Sequence, residues 1–267
     1  MIELKNIKKK YQDKVIFEDV NLTLCDATVT ALIGHNGCGK STMLKVASGL
    51  IRPDYGEIHY EKNYRFAYVP EKFPAVNMTA RAYLMHMAEV DGRYGKTESM
   101  ERINALAEDF FLEGMLDKPM KNLSKGTLQK IGVIQAFMSD PEVLLLDEPL
   151  SGQDVDSQDV FIDKVKTLKE QGTIVLLSAH EPDLIHALAD RVYTIRDCKL
   201  IHYEISPRTR YMIWIAQDEN RTPGKEMKPT DNGYIVVADE RDLPLEIKRL
   251  QKEGWHIGKV YEECSND

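Results

Sequence analysis

The sequence predicts an α/β fold with a mixed β core, largely parallel, and a small α+β appendage at the C-terminal end. Three observations predict it. Strand-length apolar runs at residues 143–146, 174–178 and 192–195 are separated by stretches long enough for helices, the alternation that gives a largely parallel sheet covered on both faces. Residues 79–140 carry apolar side chains mainly at helical spacing. A strand at residues 28–33 (Thr-Val-Thr-Ala-Leu-Ile) runs into a glycine-rich turn and then a helix.

Each element has its own signal. Residues 1–33 read as short strands, because Val15, Ile16 and Phe17, and again residues 20–24, set β-branched and aromatic residues between turn signals. Residues 41–50 read as a helix through Met43, Leu44, Ala47 and Leu50. Within 79–140, three stripes repeat at helical spacing: Tyr83, Leu84, Met87 and Ala88; Ile103, Leu106, Ala107 and Phe110; Leu128, Ile131, Ile134 and Gln135. Plain core packing accounts for them. From Ser206 the character changes, with strands expected at 211–216, 234–237 and 255–261, a helix at 245–252, and a polar loop at 218–232. The expected organisation is one domain over 1–204, holding a helical subdomain at about 79–140, and an accessory domain over 205–267.

Composition narrows the function classes. The 267 residues are 43% hydrophobic and 29% charged, as in a soluble globular protein, with a net charge of -8. Such a chain has no global attraction to nucleic acid and is repelled by anionic lipid, so docking at a membrane requires a protein partner. Cys25, Cys38, Cys198 and Cys264 form no CxxC pair, and a reduced cytosolic setting is expected. The N-terminal residues have no apolar signal region. A membrane helix needs about 20 apolar residues, and the apolar runs here are far shorter.

The chemistry is concentrated in two places. Gly34-His35-Asn36-Gly37-Cys38-Gly39-Lys40-Ser41 has the spacing GxxxxGK[ST]. Glycines let a backbone wrap closely and aim consecutive N–H groups at phosphate oxygens, and the following helix adds its positive end. In that arrangement Lys40 reaches the β- and γ-phosphates and the Ser41 hydroxyl ligates Mg²⁺. His35 and Cys38 need no chemical role of their own. The second place is the strand Val143-Leu144-Leu145-Leu146 ending in Asp147-Glu148-Pro149. Asp147 suits Mg²⁺ held through water, and Glu148 suits a general base. Taken alone, that strand end reads equally as a buried strand leading to a solvated acidic turn.

Between these two elements stands Leu123-Ser124-Lys125-Gly126-Thr127-Leu128-Gln129, and the set resembles the ABC ATPase family with its LSGGQ signature. Lys125 and Thr127 depart from that signature. Leu150-Ser151-Gly152-Gln153-Asp154 resembles the family's D-loop, with capping of the next helix as the other reading of Asp154. His180, at the end of the 174–178 strand, resembles the switch histidine. Tyr11 resembles the aromatic residue that stacks on adenine, with strand packing as the other reading. Glu71 stands where many members carry glutamine. The resemblance covers about residues 1–204.

The resemblance implies a P-loop NTPase of ABC ATPase type with ATP and Mg²⁺ as cofactors. It implies Lys40, Glu148 and His180 as catalytic residues. Tyr11, Gly34, His35, Asn36, Gly37, Cys38, Gly39, Lys40, Ser41, Thr42, Ser124, Gly126 and Asp154 would contact nucleotide, and Ser41, Asp147 and Glu71 the metal. The implied partners are a separate transmembrane permease subunit and a second ATPase subunit, in a homodimer or pseudo-dimer in which Ser124 and Gly126 face the γ-phosphate held by the other subunit. The implied place is the cytoplasmic face of the membrane. Glu71 and the C-terminal extension resemble exporters of the ABC-2 type. The alternative is a soluble ABC ATPase of an assembly or repair complex. One phosphate loop, one signature and the lack of a long coiled-coil insertion disfavour the ribosome-associated and DNA-repair types.

Overall fold

The computed structural model describes residues 1–204, 210–216, 223–224, 226–239 and 242–262. The chain divides into two compact units, residues 1–204 and 205–267.

The first unit opens with a hairpin of β1 (Ile2–Tyr11) and β2 (Lys14–Leu24). Alternation turns Ile2, Leu4, Phe17, Val20, Leu22 and Leu24 into the core. The two short strands expected over 15–24 are one long strand. Asp19, with φ 52°, breaks the alternation midway, as Asn6 with φ 52° does in β1, and the register shifts there. β3 (Val29–Ile33) follows, buried over four of its five residues. The helix after the glycine turn, α1 (Lys40–Ala47), buries Met43, Leu44, Val46 and Ala47. It stops three residues before the expected end: Ser48 bonds back to the Lys45 carbonyl at 3.0 Å and Gly49 adopts φ 74°.

β4 (Tyr55–Tyr60) pairs antiparallel with β1, completing a three-stranded sheet in the order β2-β1-β4. β5 (Phe66–Val69) precedes three helices, α2 (Ala80–Asp91), α3 (Lys96–Asp109) and α4 (Lys125–Met138). Thr79 caps α2 by accepting from Ala82 N–H, and Gly92 with φ 69° ends it. Then come β6 (Val143–Asp147), α5 (Val155–Glu170), β7 (Ile174–Ser178), α6 (Pro182–Leu188), β8 (Arg191–Arg196) and β9 (Lys199–Tyr203).

These strands form a six-stranded sheet in the order β5-β6-β7-β3-β8-β9. All its pairings are parallel except β8–β9, which turn tightly through Asp197 and Cys198, with φ 48° and 60°. Every residue of β6 and β7 is buried, which is why both read as continuous apolar runs rather than alternating ones. The carboxyl ends of β3, β6 and β7 are adjacent, and each leads into a segment singled out above.

The second unit is an antiparallel sheet, β11-β12-β10-β13, from β10 (Arg210–Ala216), β11 (Lys228–Thr230), β12 (Gly233–Asp239) and β13 (Ile257–Glu262), with α7 (Leu243–Lys252) between β12 and β13. Its core is Ile213, Ile215, Met227, Val236, Ala238, Leu250 and Trp255. Within the loop expected over 218–232, Lys228, Pro229 and Thr230 pair with β12 as an edge strand, where proline costs no ladder bond. Residues 218–222 and 225 of that region lie outside the described residues, as do Ser206 and Cys264. Cys25, Cys38 and Cys198 are free thiols. Among the described residues, no helix is long and apolar enough to cross a membrane.

Candidate functional site

The glycine loop leaves β3 with three left-handed glycines, Gly34, Gly37 and Gly39, at φ 137°, 81° and 115°. Gly39 is required twice over. Its backbone is left-handed, and an added Cβ would meet Ile16 Cγ2 of β2 at 2.6 Å. The loop thus lies tight against β2 and delivers Lys40 and Ser41 at the start of α1. Thr42 follows in the first turn, half-buried. His35, Asn36 and Gly37 are exposed at the tip, and Cys38 packs against the core cluster.

Lys40 is only 5% exposed. Its ammonium donates to the Gly34 carbonyl at 2.8 Å and sits 3.5 Å from Glu148 Oε1 and 3.0 Å from His180 Nε2. His180 Nε2 lies 2.8 Å from Glu148 Oε1 and 2.9 Å from Asn36 Oδ1. With its proton on Nε2, the ring donates to one of those oxygens; with that nitrogen bare, it accepts from Lys40. The ends of β3, β6 and β7 thus bring a cation, a carboxylate and an imidazole together above the glycine loop. Glu148 turns out of β6 with a left-handed backbone, φ 49°, its N–H held by the Ser178 carbonyl at 3.1 Å.

Asp147 is 3% exposed and fully partnered. Oδ1 accepts from the Ser41 hydroxyl at 3.0 Å and the Ser178 hydroxyl at 2.7 Å, and Oδ2 accepts from the Tyr68 hydroxyl at 3.1 Å. A hydroxyl beside a buried carboxylate is the hard-oxygen donor set that Mg²⁺ takes from a protein when phosphate and water oxygens fill its other positions. The residues therefore fit the ion. Glu71 has a half-exposed carboxylate 3.8 Å from Lys72. Its charge acts on Tyr68 only as a minor influence. Burial first, then the Asp147 charge and hydrogen bond, push the Tyr68 phenol well above its ordinary range.

The signature segment opens α4. Ser124 caps that helix by accepting from Thr127 N–H at 3.1 Å, and Lys125 is exposed. Gly126 lies against the D-loop: an added Cβ would stand 2.3 Å from the Gly152 carbonyl oxygen. A second tie runs between the same segments. Buried Lys130 of α4 donates to Asp154 Oδ2 at 2.7 Å, while Asp154 Oδ1 caps α5 by accepting from Ser157 N–H at 3.0 Å. The Lys130 hydrogen bond is the main reason the Asp154 carboxyl is held far below the usual carboxylate range. Gln129 of α4 also donates to the Pro70 carbonyl at 2.8 Å, just before Glu71. Tyr11 ends β1, is 47% exposed, and has Lys9 Nζ over its ring, 5.5 Å from the centroid.

Tyr68, Ser178 and Lys130 were not among the sequence candidates. Ser178 ends a strand next to a candidate histidine, which is a usable signal. A tyrosine inside a short strand and a lysine inside an apolar helix carry none.

The comparisons agree with this geometry. The sequence model of a family described as ABC transporter matches residues 17–151. A zinc import ATP-binding protein, ZnuC, of Photorhabdus laumondii subsp. laumondii is 31% identical over 72% of this chain and 73% of its own length. An uncharacterized ABC transporter ATP-binding protein of Methanocaldococcus jannaschii is 28% identical over 90% of this chain and 92% of its own. A solved dimeric ATP-binding cassette in a post-hydrolysis state with ADP and Pi shares the fold, with a TM-score of 0.69 over 78% of this chain and 100% of that one at 21% identity. The expected export direction gains no support here, since one of these relatives is named for import. A phosphate loop beside which Lys40, Glu148 and His180 converge, and a signature helix tied to its D-loop, join these matches in one conclusion: the chain belongs to the ABC transporter family, as an ATP-binding subunit and an ATPase.

Proposed function

We propose that this ATPase is the motor of a membrane transporter, acting as a two-fold dimer on the cytoplasmic face against a separate membrane-spanning permease. The convergence of Lys40, Glu148 and His180 within 3.5 Å carries the catalytic part of the reading. The backbone amides from Gly34 to Gly39 and the positive end of α1 take the phosphates. Thr42 extends that cradle, and Tyr11 stacks on the adenine. Lys40 exchanges its bond to the Gly34 carbonyl for the β- and γ-phosphate oxygens, which frees Glu148. Glu148 accepts the proton of the attacking water while the water oxygen bonds the γ-phosphorus and the bridging oxygen leaves with ADP. His180, beside Glu148 and Asn36, orients that water and the γ-phosphate. Ser41 and Asp147 would hold Mg²⁺. A bound Mg²⁺ supplies neutralisation of the charge on the phosphate oxygens.

Ser124 and Gly126, at the start of α4, face the γ-phosphate of the other subunit, and the Gly152–Asp154 segment crosses the same interface. The dimeric state named for the solved cassette supports this arrangement. Nucleotide binds the closed dimer more tightly than the open one, so it shifts the population towards closure, and loss of the γ-phosphate contacts reopens it. The permease converts that opening and closing into substrate movement.

The test is what co-purifies with the tagged chain from gently solubilised native membranes. A stoichiometric polytopic membrane protein is the expected result. Recovery only in the soluble fraction with cytosolic partners would move the ATPase to the assembly-factor class.

A further inference from the structure

The reading above leaves the Tyr68 hydroxyl without a role, although it donates to Asp147 Oδ2 at 3.1 Å. We propose that Tyr68 is a positioning residue for the divalent cation: it pins the Asp147 carboxylate by Oδ2, so that Oδ1 stays beside the Ser41 hydroxyl. This rests on assigning the cation to Ser41 and Asp147.

The geometry requires an anchor of this kind. A carboxylate rotates about its terminal bond in a broad, roughly two-fold well, so a group held through one oxygen can pivot. The other two donors on Asp147, Ser41 and Ser178, both approach Oδ1. When Ser41 turns a lone pair to the cation, it stops donating to Oδ1. Ser178 and Tyr68 then hold the carboxylate from opposite oxygens, and the plane is fixed only if both remain.

Strand pairing explains how Tyr68 reaches the group. β5 lies parallel to β6 with Tyr68 opposite Leu145, and Asp147 follows on the same face two residues on. The ring packs against the core cluster and borders a cavity of about 220 Å³ among α2, α3 and α4. A phenyl ring therefore fits in its place without strain.

The experiment is Mn²⁺ binding measured by electron paramagnetic resonance, with ATP present, on the full chain carrying Glu148→Gln to stall turnover. Adding Tyr68→Phe should weaken Mn²⁺ binding about tenfold, the low end of what losing a partner behind a metal-binding group costs. Nucleotide affinity measured in EDTA and the melting temperature should stay unchanged. Equal Mn²⁺ affinity in the two proteins would overturn the proposal. So would a parallel fall in melting temperature, nucleotide affinity and Mn²⁺ affinity, which would make Tyr68 merely structural. Failure of the Glu148→Gln parent itself to take up Mn²⁺ with ATP would instead remove the Ser41–Asp147 assignment, and this inference with it.

Discussion

The α-carbon of Gly126 faces the carbonyl of Gly152 so closely that a Cβ placed on it would stand 2.3 Å from that oxygen. The neighbour is backbone and cannot swing aside as a side chain would. A glycine in the signature therefore sets how closely α4 packs on the D-loop.

Gly126→Ala should cost about 1–3 kcal/mol of stability through overpacking at that contact. It should also lower ATPase turnover, with nucleotide affinity of the isolated subunit kept. Denaturant melts and nucleotide titration check both parts.

Lys40→Ala removes the ammonium that the loop delivers to the phosphates. Nucleotide affinity should fall by about tenfold or more, equivalent to roughly 1.4 kcal/mol per factor of ten. Isothermal titration measures it directly, and undiminished affinity would contradict the phosphate-loop assignment.

His180→Ala leaves the loop and Lys40 in place but removes the imidazole 2.8 Å from Glu148 Oε1. Turnover should drop about 100-fold, the cost of losing the group that orients the attacking water, with little change in ATP affinity. Steady-state kinetics separate the two.

Asp154 offers a pH test. The hydrogen bond from Lys130 holds its carboxyl below the ordinary range. A group depressed on folding stabilises the protein fully above its unfolded value, about 4, and that stability is lost as pH falls towards the folded value. Water screens this half-exposed carboxylate, so the pair should contribute only about 0.5–1 kcal/mol. Asp154→Asn keeps the helix cap and loses the charge. Its melting temperature should lie below that of the parent at pH 7 and approach it near pH 3.

Legibility in the sequence followed locality. The strand, glycine loop and helix are contiguous, so Gly34 to Ser41 announced both the local fold and the chemistry. The apolar runs of β6 and β7 announced their burial. The clamp on Asp147 did not announce itself: Tyr68 and Ser178 lie 79 and 31 residues away along the chain, and only the order β5-β6-β7 makes them neighbours. β4 and β11 were missed because edge strands carry polar residues and, in β11, a proline. The place of Glu71 was legible only through its motif: it follows Pro70 with a half-exposed carboxylate 3.8 Å from Lys72.

The most direct test of the account is Glu148→Gln, assayed for ATP binding, dimer formation and turnover in one preparation. The account predicts that ATP binding persists, that ATP traps the dimer, and that turnover is nearly abolished. Turnover undiminished in that variant would contradict the role of Glu148 as general base and the mechanism built on it.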